Sequence, residues 1–259
     1  MGNLIQFTVK KTNAIIILLL LVFNTTSNLY SQSNSRLDSL LELGDDLISL
    51  NDYQEAESKI DKVLELKETY PPAIEAKVRV LVLMDKYSKA NRIVHRSLKD
   101  NPNYAPFHLY QAKILIEKED FHNALKHSNK AIGLTKNDEQ LLSKIYVTRG
   151  ATYQKMNETQ KALNDYSKAL KINSHNPNVF VYRGYLYYKE EEYKEAIEDF
   201  EKVLELDPNN HYAHYNIGMS RFKQGDKLKA CDAFHKACEL GNKNACQMVI
   251  SKCLRNKGD

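Results

Sequence analysis

The stretch Pro177–Asn210, PNVFVYRGYLYYKEEEYKEAIEDFEKVLELDPNN, decides how the rest of the chain is read. Large side chains at Phe180, Tyr187 and Phe200 alternate with small ones at Gly184 and Ala196, and Pro208 closes the segment. Two antiparallel helices approach closely only where small residues sit at the crossing, and large residues then fill the space around it. One such helix pair cannot bury its apolar face alone, so copies are expected at the same period.

They are present. Stepping by 34 residues, the second small position reads Ala56, Ala90, Ala124, Ala162, Ala196 and Ala230, with four extra residues, Glu139 to Leu142, between the third and fourth copies. The first small position reads Gly44, Val78, Ala112, Gly150, Gly184 and Gly218, and the third reads Val63, Ser97, Ala131, Ala169, Val203 and Ala237. Residues 37–70, 71–104, 105–138, 143–176, 177–210 and 211–244 are therefore six repeats. In its large-small spacing and closing proline the pattern resembles the tetratricopeptide repeat (TPR) family, over about four-fifths of the chain. The resemblance implies an all-α, right-handed α-solenoid of six helix-turn-helix units, followed by a capping helix and tail over residues 245–259.

That family binds other proteins and leaves catalysis to them, so the resemblance implies a scaffold or adaptor for a peptide or partner protein. It also puts the first helix of each unit on a concave groove, at repeat positions 2, 5, 9 and 12. In the fifth unit these are Asn178, Val181, Tyr185 and Tyr188; in the sixth they are Tyr212, Tyr215, Met219 and Phe222. A helix needs one apolar stripe for packing, and these two carry a second whose tyrosines fit a peptide or partner helix. Tyr185 and Tyr215 fall outside the small and bulky core positions. The family's clamp for a C-terminal carboxylate is not reproduced, since Leu41, Asp45, Glu75 and Arg79 stand at matching positions. Ser128, where an aromatic is usual, marks the loosest expected contact, next to the four-residue insertion.

Charge is uneven along the chain. The net charge of +4 is too small to imply nucleic acid. Residues 37–70 carry −7 and 177–210 carry −5, against +4 in each of 71–104 and 143–176. Such alternation marks either a solvated outer face or a charge-patterned partner site.

The start of the chain reads differently. Lys10 and Lys11 precede ten unbroken apolar residues, Ala14 to Phe23, with polar residues from Asn24 onward. This is the order of a secretory signal peptide, and the apolar run is shorter than the roughly 20 residues that span a bilayer. The expectation is a leader over 1–31, a linker over 32–36, and a mature protein that is exported to a periplasm or secreted. A retained leader would instead tether it to the membrane as an envelope assembly factor.

Residues for other chemistry do not assemble. His211 and His214 lack a third ligand at metal-binding spacing, and no cofactor motif is present, so no metal or cofactor is expected. Ser220 to Lys223 spells Ser-x-x-Lys without the companion motifs of penicillin-binding enzymes. The four cysteines, Cys231, Cys238, Cys246 and Cys253, all fall in the last 29 residues. Each pair is seven apart on a helix, so both members share a face. Reversal at Gly241-Asn242 brings Cys238 opposite Cys246 and Cys231 opposite Cys253, the pairing expected in an oxidising compartment. Four buried free thiols are the alternative. The stretch KACELGNKNAC resembles Sel1-like repeats, some of which are linked to penicillin binding, and that is the enzymatic alternative.

Overall fold

A computed structural model describes residues 36–253, which are helices and short turns with no strand among them. The expected leader and linker residues 32–35 lie outside the described residues. The helices are α1 (36–49), α2 (Tyr53–Leu66), α3 (Pro71–Leu83), α4 (Tyr87–Asp100), α5 (Ala105–Glu117), α6 (Phe121–Leu134), α7 (Glu139–Lys155), α8 (Thr159–Ile172), α9 (Pro177–Lys189), α10 (Tyr193–Leu206), α11 (His211–Lys223), α12 (Lys227–Glu239) and α13 (Lys243–Met248). Two compact units divide between Ser97 and Leu98. Each is a stack of helix hairpins, which is the α-solenoid class.

Local chemistry explains where the helices begin. Asp52, Asp120, Asp138 and Asp226 each accept a hydrogen bond from a first-turn backbone N–H, as do Asn176, Asn210 and Asn242. Prolines open α3 and α9, where a missing N–H has no partner to lose. The turn inside each of the six repeats places one residue at positive φ, always the same repeat position: Asn51, Asp85, Glu119, Asn157, Glu191 and Gly225. Only the last uses glycine, the residue that adopts this conformation without steric cost.

The four inserted residues do not form a loop. α7 starts at Glu139 and has 17 residues, against 13 in α9 and α11, so the insertion is an extra helical turn.

The hairpins close by trading volume between two facing positions. Where the second helix offers Tyr166, Phe200 or Phe234, the first offers Gly150, Gly184 or Gly218, and a Cβ there would lie 2.9, 3.1 or 2.6 Å from the nearest atom of the second helix. In the second hairpin Val78 faces Val94 in sequence register, and both are fully buried. In the third, Ala112 and Ser128 take these places, also fully buried, and the Ser128 hydroxyl has no hydrogen-bond partner. Small beside large and medium beside medium give the same close packing, and only the third hairpin sets small beside small.

At the C-terminus, α13 is shorter than the expected cap and continues as a π-helical turn, Val249–Cys253. Ala245 and Val249 bury themselves with Phe234 and Ala237 of α12. Cys231 is bonded to Cys253 and Cys238 to Cys246, one bond at each end of this terminal hairpin.

Candidate functional site

The site begins with what orients α9. Arg183 is wedged between the rings of Phe180 and Tyr187 on its own helix, at 5.9 and 5.8 Å. Its guanidinium makes two hydrogen bonds to the Asp199 carboxylate of α10, at 2.6 and 2.8 Å, and a third to Ser167 of α8 at 3.0 Å. One planar fork thus ties three helices together, a task that suits arginine better than lysine. Burial pushes the Asp199 carboxyl above the usual carboxylate range despite Arg183, so desolvation outweighs attraction at this residue. Arg149 repeats the device one unit earlier, with Asp165 of α8, Asn129 of α6 and the rings of Tyr146 and Tyr153. In the sixth repeat the same two positions hold Ile217 and Ala233, an apolar substitute for the ion pair.

With Arg183 turned inward, the opposite face of α9 is open. Tyr182 and Tyr185 are each 43% exposed, and Tyr212 at the start of α11 is 57% exposed. Asn178 is exposed on the same stripe of α9, and the Lys189 ammonium lies 6.0 Å over the Tyr185 ring.

The other residues read from the repeat positions lie deeper. Val181 and Tyr188 are half-buried against the core of the second unit. Tyr188 stands 5.7 Å from the Tyr193 ring, and burial pushes its hydroxyl pKa up. Tyr215, Met219 and Phe222 pack on the C-terminal cluster, with the Tyr215 ring 6.0 Å from Phe234. Tyr215 therefore supports the terminal hairpin even though it stands outside the small and bulky repeat positions. Tyr182 is the exposed residue those positions miss. It lies four residues after Asn178 and three before Tyr185, which is the spacing of one helical stripe.

Elsewhere the reactive residue types are engaged structurally. Ser220 is fully buried and its hydroxyl donates to the Asn216 carbonyl at 2.9 Å. His214 Nε2 lies 3.0 Å from the Pro208 carbonyl, and His211 Nδ1 lies 3.2 Å from the Asn242 amide. Among the described residues no three His, Cys, Asp or Glu side chains converge on a metal-sized site. Asp45 and Arg79, two of the would-be clamp positions, pair with each other. No described helix is long and apolar enough to cross a membrane.

Known proteins share this architecture. Family models described as tetratricopeptide repeat match residues 143–176 and 212–240, and one described as TPR repeat matches 184–225. No curated protein matches. Among solved structures, pilF of Pseudomonas aeruginosa aligns with a TM-score of 0.69 at 17% identity, covering 85% of this chain and 98% of that one. YrrB, a TPR protein with an unusual peptide-binding site, aligns with a TM-score of 0.58 at 18% identity, covering 74% and 97%. The C-terminal part of a TPR repeat-containing protein from Cytophaga hutchinsonii aligns at 0.60 and 21%, covering 84% and 89%. At these identities the likeness concerns the fold, and it agrees with the repeated hairpin from α1 to α12 and with the family matches: the chain carries tetratricopeptide repeats.

Proposed function

We propose that this protein is an exported, non-catalytic scaffold that binds an extended peptide or partner protein on the tyrosine face of α9 and α11. The observation that carries the reading is the exposure of Tyr182, Tyr185 and Tyr212 on neighbouring first helices. Tyrosine is enriched where interfaces concentrate their binding energy, because it offers a large apolar surface with a polar tip. The peptide-binding relative YrrB is consistent with such a use of the fold. Export follows from the basic, apolar and polar order of the first residues, and cysteines confined to a terminal hairpin suit an oxidising compartment. In the second reading the leader is retained and the same scaffold is tethered to the membrane.

The test is capture of partners from an envelope extract of the source cell by the mature chain and by its Tyr185→Ala/Tyr212→Ala variant. The face is supported if a partner retained by the first is lost by the second while both melt alike. Truncating a true anchor costs about 2 kcal/mol or more, a loss of thirtyfold or so. Retention of the same partners by both refutes the face. An N-terminus near Gln32 supports cleavage, and Met1 or Gly2 in membrane-bound material overturns it.

A further inference from the structure

A second surface of different chemistry lies in the first unit and does not depend on the tyrosine face. α4 carries Lys89, Arg92 and Arg96 at spacings of three and four, which puts them on one face over successive turns. Its one acidic residue is Asp100, at its last position. Lys89 sits near the helix N-terminus, where the helix dipole disfavours a cation, and the like charges repel along the face. A free protein gains nothing from this arrangement, and an anion bound against it removes the cost.

The neighbouring carboxylates do not supply that anion. Glu57 of α2 is taken by Lys77 at 2.8 Å and Lys86 at 3.5 Å, and Asp61 is taken by Lys77 at 2.7 Å. Hydrogen bonding from Lys77 holds the Glu57 carboxyl below its ordinary range. Arg96 approaches Glu68 only at 3.9 Å, with both side chains 81% exposed. Lys89 and Arg92 have no ion-pair partner among the described residues. All three cations line an open cleft whose apolar floor is Leu81 and Ile93 and whose far side is the satisfied Lys77–Glu57 pair.

We propose that this cleft binds an acidic segment of a partner protein, with its carboxylates on Arg92 and Arg96 and an apolar side chain against Ile93. Guanidinium groups favour this, since each matches a carboxylate in a two-point fork. The surroundings argue against a uniform polyanion. Glu57 also borders the adjoining groove of α2, where three carboxylates, Glu57, Asp61 and Glu65, outnumber the one lining cation, Lys62. A nucleic-acid backbone or an anionic bilayer extending past the cleft meets that repulsion, whereas a short segment of mixed acidic and apolar residues does not.

The test uses fluorescence anisotropy of the mature chain with a labelled peptide carrying two glutamates on either side of one leucine. Saturable binding should weaken about tenfold or more in Arg92→Glu/Arg96→Glu, and by a similar factor when salt rises from about 50 to about 300 mM. Both positions are exposed, so circular dichroism melts of the variant should match those of the parent. Tyr185→Ala/Tyr212→Ala should bind the peptide unchanged, which separates this site from the tyrosine face. Absence of saturable binding, equal affinity in the charge-reversed variant, or tighter binding of a single-stranded oligonucleotide or phosphatidylserine vesicles than of the peptide each overturns the proposal.

Discussion

Removing Asp199 alone and removing it together with Arg183 should have very different consequences. Asp199 is 3% exposed, and its carboxylate is held only by the Arg183 fork at 2.6 and 2.8 Å. Asp199→Ala leaves a guanidinium between two aromatic rings with only Ser167 to satisfy it. Breaking a buried pair from one side costs about 3–5 kcal/mol. The Arg183 side chain retains 20% exposure and can turn partly into water, which lowers the expected loss to about 2–4 kcal/mol. The double variant Arg183→Ile/Asp199→Ala copies Ile217 and Ala233 of the sixth repeat. It removes both charges and their desolvation, and Asp199 already sits at the costly end of that balance because burial raises its pKa. The double variant should lie within about 1 kcal/mol of the parent, a coupling of about 2 kcal/mol or more. Repeat arrays do not always unfold in one step, so urea melts should be paired with hydrogen exchange on α9 and α10 amides. If Asp199→Ala costs less than about 1 kcal/mol, or the two losses simply add, the pair does not act as a unit and the reasoning fails.

Three further outcomes can be measured directly. Glu191→Gly should stabilise the chain by about 0.5–1 kcal/mol in urea melts, because Glu191 has φ 64° where glycine is unstrained; a destabilised variant would show that the glutamate makes a compensating contact. His127 and His108 share a hydrogen bond between their Nδ1 atoms at 2.9 Å, with His108 Nε2 donating to the Pro102 carbonyl, and burial beside His108 and Lys126 depresses the His127 pKa to about 4. The unfolded chain therefore takes up this proton first, so stability should be level above about pH 7 and, with the linkage reduced because the ring is only half-buried, fall by about 1–2 kcal/mol between about pH 6.5 and 4; His127→Gln should flatten that limb, and an unchanged limb refutes the assignment. Peptide mapping of the non-reduced protein should find the links Cys231–Cys253 and Cys238–Cys246. Chain entropy alone values them at about 3.4 and about 2.5 kcal/mol, so reduction should expose α12 and α13 to hydrogen exchange first, and four free thiols would remove the staple.

What the sequence made legible is what repeats in register. Six alanines at the second small position locate every hairpin, and Gly150, Gly184 and Gly218 announce the bulky partner they face. The insertion was harder to read: four residues advance a helix by about 400°, only 40° from whole turns. A looped insertion and one extra turn of α7 therefore predict nearly the same apolar phase. The tyrosine face was only half legible for a related reason. α9 and α11 carry apolar residues all round, and which stripe is buried depends on how the next hairpin packs, not on either helix alone. Tyr185 and Tyr212 stayed exposed, Val181, Tyr188 and Tyr215 became support, and Tyr182 appeared in between.

The signal for the inward side was nevertheless in the chain. In the last three repeats positions 16 residues apart read Arg149 with Asp165, Arg183 with Asp199 and Ile217 with Ala233, so charge there is present at both positions or at neither, a pairing that Leu43 with Lys59, Lys77 with Ile93 and Gln111 with His127 do not follow in the first three. Aligning the repeats with one another, rather than with an outside pattern, exposes such paired exchanges as packing contacts. In those three repeats they mark the face of the first helix that is committed to its neighbours, and the residues left over are those free to meet a partner. By that logic Tyr182 belongs to the open face because Arg183 beside it is anchored, and a change at Arg183 should disturb partner binding through the orientation of α9 without touching the partner. Arg183→Lys tests this: it keeps the charge but loses the fork that joins Asp199 to Ser167. Partner capture should weaken while overall helicity remains, and unchanged capture would show that the tyrosine face is positioned by the hairpin core alone.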